Sequence, residues 1–489
     1  MPVDSDADGI TSAAIFYNYF TTLYPFADIK YRMHEGKEHG VRLEFVPVTT
    51  DIVVIIDAGT NQIEEQEELS RQNRTVLIID HHVVNHVRPV ENVVIVNNQS
   101  SEKFYNKSLS GAGVMFKVIQ AYDEKYGSKI LYKRFEDLAA VGIISDCMDT
   151  RNLDNNAIIS NGLKNIRNNM LKALLEKQSF SISNTEMPNK IDIAFYVTPL
   201  INAVIRSGTM EEKTLFFEGF INNGSEEIIT TMSRGRERQE TLYQFLARTA
   251  VNLRARQNKR KENSVEAIVE QVIERGAHNN ACIIVKIDQT SVPQNITGLV
   301  AMEISKLYNK PTLVLRPVLE NGEFYYRGSG RASSLPGVGS FMEALNASGL
   351  MDYVEGHDNA FGASIKDRNI MALNEFLNDY YKDVDFSFGL EVDCCMDDNN
   401  WNILVLKEFG EIMHVYGNGI PQPKFHFEFI VDVDDCRVQG KNGNSLKINY
   451  RGLTFVAFRN EDLVNRYQDL SLLGRSLKVE IIGRSQINE

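Results

Sequence analysis

Short runs of aliphatic residues alternate with longer stretches of helical periodicity through the first part of the chain. DIVVIID (Asp51–Asp57), TVLIID (Thr75–Asp80), NVVIV (Asn92–Val96) and AAVGIISD (Ala139–Asp146) are apolar at nearly every position. That is the pattern of strands buried on both faces of a parallel sheet. Between them, Ser12–Tyr24 and Gly113–Tyr126 read as amphipathic helices. The alternation predicts a mostly parallel, doubly wound α/β sheet.

The pattern then changes. Glu211–Arg275 reads as helical and is almost free of glycine and proline. Within it Arg234, Arg236, Arg238, Arg248, Arg254, Arg256, Lys259, Arg260 and Lys261 form a basic stretch. A solvated helix face and one wall of a nucleic-acid groove are both open readings of it. A second α/β region follows: a strand in ACIIVKID, a helix over Gly298–Tyr308, a strand in PTLVLRPV, and a glycine- and serine-rich turn from Arg327 to Ser340. Trp401–Leu406, Phe425–Val433, Ser445–Ile448 and Leu453–Phe458 read as short strands of a small β-barrel. The boundaries drawn from this pattern are 1–200, 201–275, 276–385 and 386–489.

Composition narrows the class. With 489 residues the chain is long enough for about three domains. Hydrophobic residues at 43% and charged residues at 24% match ordinary globular usage, which excludes a disordered or fibrous chain. No uninterrupted apolar run approaches the ~18 residues of a membrane helix, so no membrane role is expected. No basic-then-apolar segment opens the chain, and five cysteines without a CxxC spacing fit a reducing compartment. The net charge of −13 argues against non-specific nucleic-acid binding, but a sum hides local grooves. Carboxylates that hold cations also count as negative in it.

Acid and imidazole collect where the apolar runs end. Asp4, Asp6 and Asp8 lie in VDSDADG, Asp57 ends DIVVIID, Asp80, His81 and His82 close TVLIID, and Asp146 closes AAVGIISD. In open α/β sheets ligands bind outside the carboxyl ends of the strands, so these groups are expected to meet in one crevice. So many carboxylates cannot all stay ionised side by side without positive charge between them. Hard divalent cations suit oxygen ligands, and a histidine shifts the preference from Mg²⁺ toward Mn²⁺. Two cations bridged by a carboxylate can activate water and stabilise a leaving oxygen in phosphoryl hydrolysis. Singly, each Asp is more simply a turn or helix cap. Their conjunction carries the inference.

DSDADGITSAA, IIDAGT, LIIDHHV and VGIISDCMD resemble, in order, the motifs of the DHH phosphoesterase superfamily. PLINAVIRSG, GSGRASSLPGVGSFMEAL, GHDNAFGASI and YGNGIPQPKF extend the likeness to RecJ-like single-stranded-DNA-specific exonucleases over nearly the whole chain. The resemblance implies a DHH catalytic domain (1–200), a connecting helical region, a DHH-associated domain (276–385) and an OB-type barrel (386–489). It implies 5′-to-3′ hydrolysis of single-stranded DNA with two divalent cations, Mn²⁺ preferred and Mg²⁺ possible. Asp6 and Asp57 would hold one cation, and Asp8, Asp57, His81 and Asp146 the other. Asp4 and Asp80 would orient ligands, and His82 would face the scissile phosphate. Ser329, Arg331, Ser333, Gly356 and His357 would contact substrate, with Asn202, Arg206, Gly111 and Gly113 beside them. Two positions depart from the family pattern. Glu355-Gly356 stands where a glycine pair is usual, and in HEGKEHG the residues His34, Lys37 and His39 either substitute as cationic contacts or form a polar surface loop, both readings being open. The family usually has a complete strand before DxDxDG, but only Met1–Val3 precede Asp4, so either that strand is very short or the recorded start is internal to the gene. In the barrel, Tyr416, Phe425, Phe455 and Phe458 fit core better than base stacking.

The expected setting is a monomer in the cytoplasm of a bacterium or phage-infected host, in recombination, repair or replication, with a single-strand-binding protein or helicase as possible partner. Two other readings stay open: a phosphodiesterase of nanoRNA or cyclic dinucleotides, and a catalytically silent replication scaffold. The region after Phe386 argues against the first, and the filled acidic positions argue against the second.

Overall fold

The computed structural model describes residues 1–489 apart from 36–37, 85–87, 183, 222–225, 234, 289–291, 321, 334, 336, 388, 390, 441, 459 and 486–489, and the side chain of His357. The chain divides into two units. The first holds Met1–Met148, Asn152–Pro188 and Asp192–Phe388; the second holds Gly389–Glu489 with Asp149–Arg151 and Asn189–Ile191. No helix among the described residues is long and apolar enough to cross a membrane.

In the first unit, β1 (Pro2–Val3) pairs in parallel with β2 (Arg32–Met33). Separately, β3 (Ile52–Ile56), β4 (Thr75–Asp80) and β5 (Val93–Asn97) form a parallel three-stranded ladder with Ile56 opposite Ile79 and Asp80 opposite Asn97. The helices Ala7–Leu23 and Gly111–Tyr126 pack on a core that includes Val3, Ile56 and Ile79.

AAVGIISD is helical, not a strand. It belongs to the helix Glu136–Ser145, in which every residue from Asp137 to Ile144 is buried. An apolar run buried all round carries neither a period of two nor one of 3.6, so its pattern could not separate the two states. The all-helical reading of Glu211–Arg275 also needs correction. After the helix Met210–Ile221, the hairpin β6 (Ile228–Ser233) and β7 (Arg236–Thr241) intervenes. The helix Leu242–Glu274 comes next, opened by a capping box between Thr241 and Gln244. Its first turns bury Tyr243, Leu246 and Leu253 in the first core, and its last turns bury Ile268 and Val272 in another. Several of its bases tie it down: Arg248 pairs with Glu240, and Lys261 Nζ lies 2.8 Å from Glu303.

That second core lies under a mixed five-stranded sheet of β8 (Ile283–Lys286), β9 (Thr312–Glu320), β10 (Glu323–Arg331), β11 (Met351–His357) and β12 (Ala360–Lys366), in the order β11-β12-β10-β9-β8. The stretch expected as turn from Arg327 is strand as far as Arg331, antiparallel to β9 with Arg331 opposite Thr312.

In the second unit, β13 (Cys394–Met396), β14 (Phe425–Asp432) and β18 (Ser476–Gly483) form one three-stranded sheet. The strands β15 (Cys436–Gln439), β16 (Ser445–Tyr450) and β17 (Leu453–Ala457) form another. Among the described residues these ladders do not close the expected barrel. Trp401–Leu406 is not a strand, because Asn402 caps a helix over Ile403–Glu411. Tyr416 and Phe425 are buried and Phe455 packs against the same core, whereas Phe458 is 75% exposed.

Candidate active site

Ends of three strands and one helix meet in the first unit. Val3 closes β1 and leads to Asp4; Asp6 then caps the Ala7–Leu23 helix by accepting from Gly9 N at 2.9 Å, and Asp8 lies buried in its first turn. Asp57 follows β3 with φ +64°, a left-handed conformation that Asp tolerates better than most residues. Its amide still donates to Ile79 O at 2.8 Å, so the turn away from the sheet occurs at this residue. Asp80 ends β4 and His81 comes next. Asp146 caps the C-terminus of the Glu136–Ser145 helix rather than a strand. The clustering predicted from the sequence therefore holds even though one of its supports was misread.

Small residues let these acids approach. A Cβ on Gly111 would come 2.3 Å from Asp57 Oδ1, and one on Gly142 would come 2.4 Å from Asp8 Oδ1. Asp8 is fixed by Ser110 Oγ at 2.8 Å, Gly111 N at 2.6 Å and Ala112 N at 3.1 Å. Gly111 thus serves Asp8, and Gly113 is a packing position whose Cβ would meet Leu109 at 2.7 Å.

Three groups of side chains have ligand atoms within 4.8 Å of one another: Asp4, Asp6 and Asp57; Asp57, His81 and His82; and Asp8, His81 and Asp146. Asp57 and His81 each belong to two of them. His81 Nε2 lies 3.2 Å from Asp57 Oδ1 and 3.5 Å from Asp146 Oδ2, yet both buried oxygens lack a hydrogen bond. Burial and the neighbouring acids raise the proton affinity of Asp6, Asp8, Asp57 and Asp146. Burial, then Asp8, lifts Asp57 well above the carboxylate range. Burial, then Asp6, pushes Asp8 up to about 6. Burial, then Asp8 and Asp6, pushes Asp146 up to about 8, and burial, then Asp4, raises Asp6. Oxygens without donors, an imidazole nitrogen close to each and mutual repulsion fit bound cations.

Around this centre two histidine–aspartate pairs are arranged. His39 Nδ1 lies 2.9 Å from Asp4 Oδ2. His82 Nδ1 lies 2.8 Å from Asp80 Oδ1, and Asp80 also accepts from the amides of Thr60, His81 and His82. Burial would raise Asp80, but the His82 and Thr60 hydrogen bonds hold it well below the carboxylate range. Burial would lower His82, but the Asp80 bond and charge push it up to about 9. His34 is buried, with both ring nitrogens lacking hydrogen bonds, and Lys37 lies outside the described residues.

A cleft of about 880 Å³ in the same unit is lined by His39, Thr297, Arg316, Arg327, Ser329 and Arg331 among others. Arg331 lies over the first turn of the Thr297–Tyr308 helix: a Cβ on Gly298 would come 2.5 Å from its Nη2. Burial and the nearby Arg206 push Arg331 down to about 10. Glu355 lines the cleft, and Gly356 beside it has φ +138°. Asn202 Oδ1 accepts from Ala7 N at 3.0 Å and so supports the helix that carries Asp8. Ser333 turns away to Asn309 O at 2.9 Å, and the side chain of His357 is not described. Sequence reading missed Thr297, Arg316 and Arg327. Arg327 and Arg316 face each other across β9 and β10, a pairing that only the register reveals.

The DHH family, N-terminal domain, matches residues 3–143. YorK of Bacillus subtilis (strain 168) is an SPbeta prophage-derived protein whose assignment as a single-strand DNA-specific exonuclease is itself an inference. It is 32% identical over 492 residues, spanning 100% of this chain and 84% of its own length. The chain belongs to the RecJ-like members of the DHH family. The single-stranded-DNA-specific exonuclease RecJ of the same bacterium is 24% identical, over 99% of this chain and 58% of its own. RecJ of Thermus thermophilus, solved in complex with Mn²⁺, shares the fold with a TM-score of 0.68 at 21% identity, covering 98% of this chain and 65% of that one. Against these two RecJ proteins, this RecJ-like chain spans less than two thirds of the partner's length.

Proposed function

We propose that the chain is a single-strand-specific DNA exonuclease that hydrolyses phosphodiesters with two divalent cations, Mn²⁺ preferred. The observation that carries the reading is the pair of buried carboxylate oxygens on Asp57 and Asp146, without hydrogen bonds and 3.2 and 3.5 Å from His81 Nε2. Asp6 and Asp57 would hold one cation, and Asp8, Asp57, His81 and Asp146 the other. When bound, such a pair supplies Lewis acidity that makes water a nucleophile and stabilises the departing oxygen.

The chain's own residues do the rest. Ser110 and the amides of Gly111 and Ala112 hold Asp8 in place. Asp80 orients the His82 ring, which as imidazolium donates to a phosphate oxygen. Arg331, beside a helix N-terminus and Ser329, takes a backbone or terminal phosphate through its planar fork. Arg316 and Arg327 continue the cationic wall. Strand polarity, 5′ to 3′, follows from the family resemblance.

The domain reading belongs to the same proposal: a DHH catalytic domain over 1–200, a connector over 201–275, a DHH-associated domain over 276–385 and an OB-type nucleic-acid-binding domain over 386–489. A monomer in a bacterial or phage-infected cytoplasm, meeting single-strand-binding protein or a helicase on its substrate, fits it. The test is release of mononucleotides from 5′- and 3′-labelled single and double strands with Mn²⁺ or Mg²⁺. Single strands shortened from the 5′ end, only with metal, are the expected result. Metal-independent cleavage, or none on any strand, would overturn it.

A further inference from the structure

Tyr416–Pro421 (YGNGIP) is distant in sequence from the acidic cluster, and the chemistry above does not use it. The segment forms a tight turn: Gly417 N donates to Ile420 O and Ile420 N to Gly417 O, each at 3.0 Å. Within the second unit this turn clasps a small piece of the N-terminal half. The Asn418 carbonyl accepts from Thr150 N at 3.0 Å and from Thr150 Oγ1 at 2.8 Å. The Val415 carbonyl accepts from the buried Lys190 Nζ at 3.1 Å. The approach is close enough to require both glycines. A Cβ on Gly417 would come 3.0 Å from Thr150 Oγ1, and one on Gly419, at φ +85°, would come 2.4 Å from Asp149 Oδ1. Asp149 in turn braces Arg151, whose Nη2 lies 2.7 Å away.

The clasped segment begins three residues after Asp146. Asp146 ends its helix in a Schellman arrangement, with Cys147 N bonded to Ile144 O and Met148 N to Ile143 O, each at 3.1 Å. Cys147 sits there at φ +55°, a conformation that costs a non-glycine residue about 1 kcal/mol. An exit that glycine usually supplies is thus made by another residue and needs support from the next few positions of the chain. Only Cys147 and Met148 separate the cap from the clasp, and two residues reach at most about 7 Å.

We propose that Thr150, gripped by the Asn418 carbonyl, is a positioning residue for Asp146, acting along the chain through Cys147 and Met148. This rests on reading Asp146 as a cation ligand.

The test is Mn²⁺ titration calorimetry on the full chain, paired with amide exchange over residues 143–151. Thr150→Val keeps the side-chain shape and removes the hydroxyl. The expected result is Mn²⁺ affinity weaker by about tenfold, as when outer support of a ligand is lost. Met148 amide exchange should be faster, the metal-free melting temperature nearly unchanged, and Thr150→Ser should restore both. Wild-type affinity and exchange in Thr150→Val would overturn the proposal. If that variant fails to fold, Gly419→Ala probes the same clasp from the other side, and native Mn²⁺ affinity there would overturn it equally. A wild-type chain that binds no Mn²⁺ would instead sink the reading of the centre on which the proposal stands.

Discussion

Two sets of buried acids lie in the same unit and are treated in opposite ways. Asp123 accepts from Tyr19 Oη at 3.2 Å and from the amides of Ser128 at 3.0 Å and Leu131 at 2.9 Å. Asp137 accepts from the amides of Leu138 at 2.9 Å and of Arg167 and Asn168 at 2.7 Å. These carboxylates knit loops to helices. Asp57 and Asp146 each keep a buried oxygen without a hydrogen bond and crowd other acids. Burial alone therefore does not separate Asp57 and Asp146 from Asp123 and Asp137; an oxygen without a donor does.

Asp57→Asn should break this contrast most sharply. It removes a group shared by two of the ligand clusters. Several kcal/mol of transition-state stabilisation would be lost, lowering nuclease activity roughly a thousandfold or more. The metal-free protein should meanwhile be as stable as wild type or more so, because repulsion with Asp8 and Asp6 is relieved. Mn²⁺ should raise the melting temperature of wild type and not of the variant. Melting curves with and without Mn²⁺ decide; a variant that is destabilised without metal would place Asp57 with the structural acids.

Asp137→Asn is the mirror experiment. An amide nitrogen would replace one acceptor against the donors of Arg167 and Asn168. The loss should be about 1–3 kcal/mol of stability, with or without metal. Chemical denaturation reads it, and a metal-dependent loss would contradict the assignment.

The clustering was legible because apolar runs ending in Asp or His put chemistry at strand ends, and VDSDADG, DIVVIID and TVLIID behave so. AAVGIISD misled because a helix buried over its whole circumference has no polar face to give the period. The hairpin Ile228–Thr241 was hidden by polar strands, IITTMS and RERQET, that lack an apolar alternation. The partners that separate Asp57 from Asp137 are mostly backbone amides from distant segments, which no residue type announces.

A buried cation offers the same test with reversed sign. Arg331 is half-buried beside Arg206, and burial with that neighbour lowers its proton affinity. If the site is built for phosphate, Arg331→Ala should weaken single-strand binding about tenfold and reduce the slope of affinity against salt by about one. Fluorescence anisotropy at several salt concentrations measures both. Unchanged affinity would make Arg331 a structural arginine.

The smallest effect concerns the Asp80–His82 pair, where a histidine charge adds to backbone donors in satisfying a buried acid. His82 is raised from 6.5 to about 9, so its stabilisation is complete below the free imidazole value and is lost as pH rises through about 9. Asp80 is lowered, so its contribution is present above the ordinary value of 3.8 and is lost as pH falls below it. Both act together from about pH 4 to 6.5. The His82 side chain is 43% exposed, so solvent screening holds the pair to about 1 kcal/mol or less. In metal-free buffer the stability gap between wild type and His82→Gln should be widest near the acidic end of that range and close by about pH 10. A gap that stays constant across the scan would mean that the imidazole serves Asp80 as a neutral donor, and the acid would then join Asp123 and Asp137 rather than the charged centre.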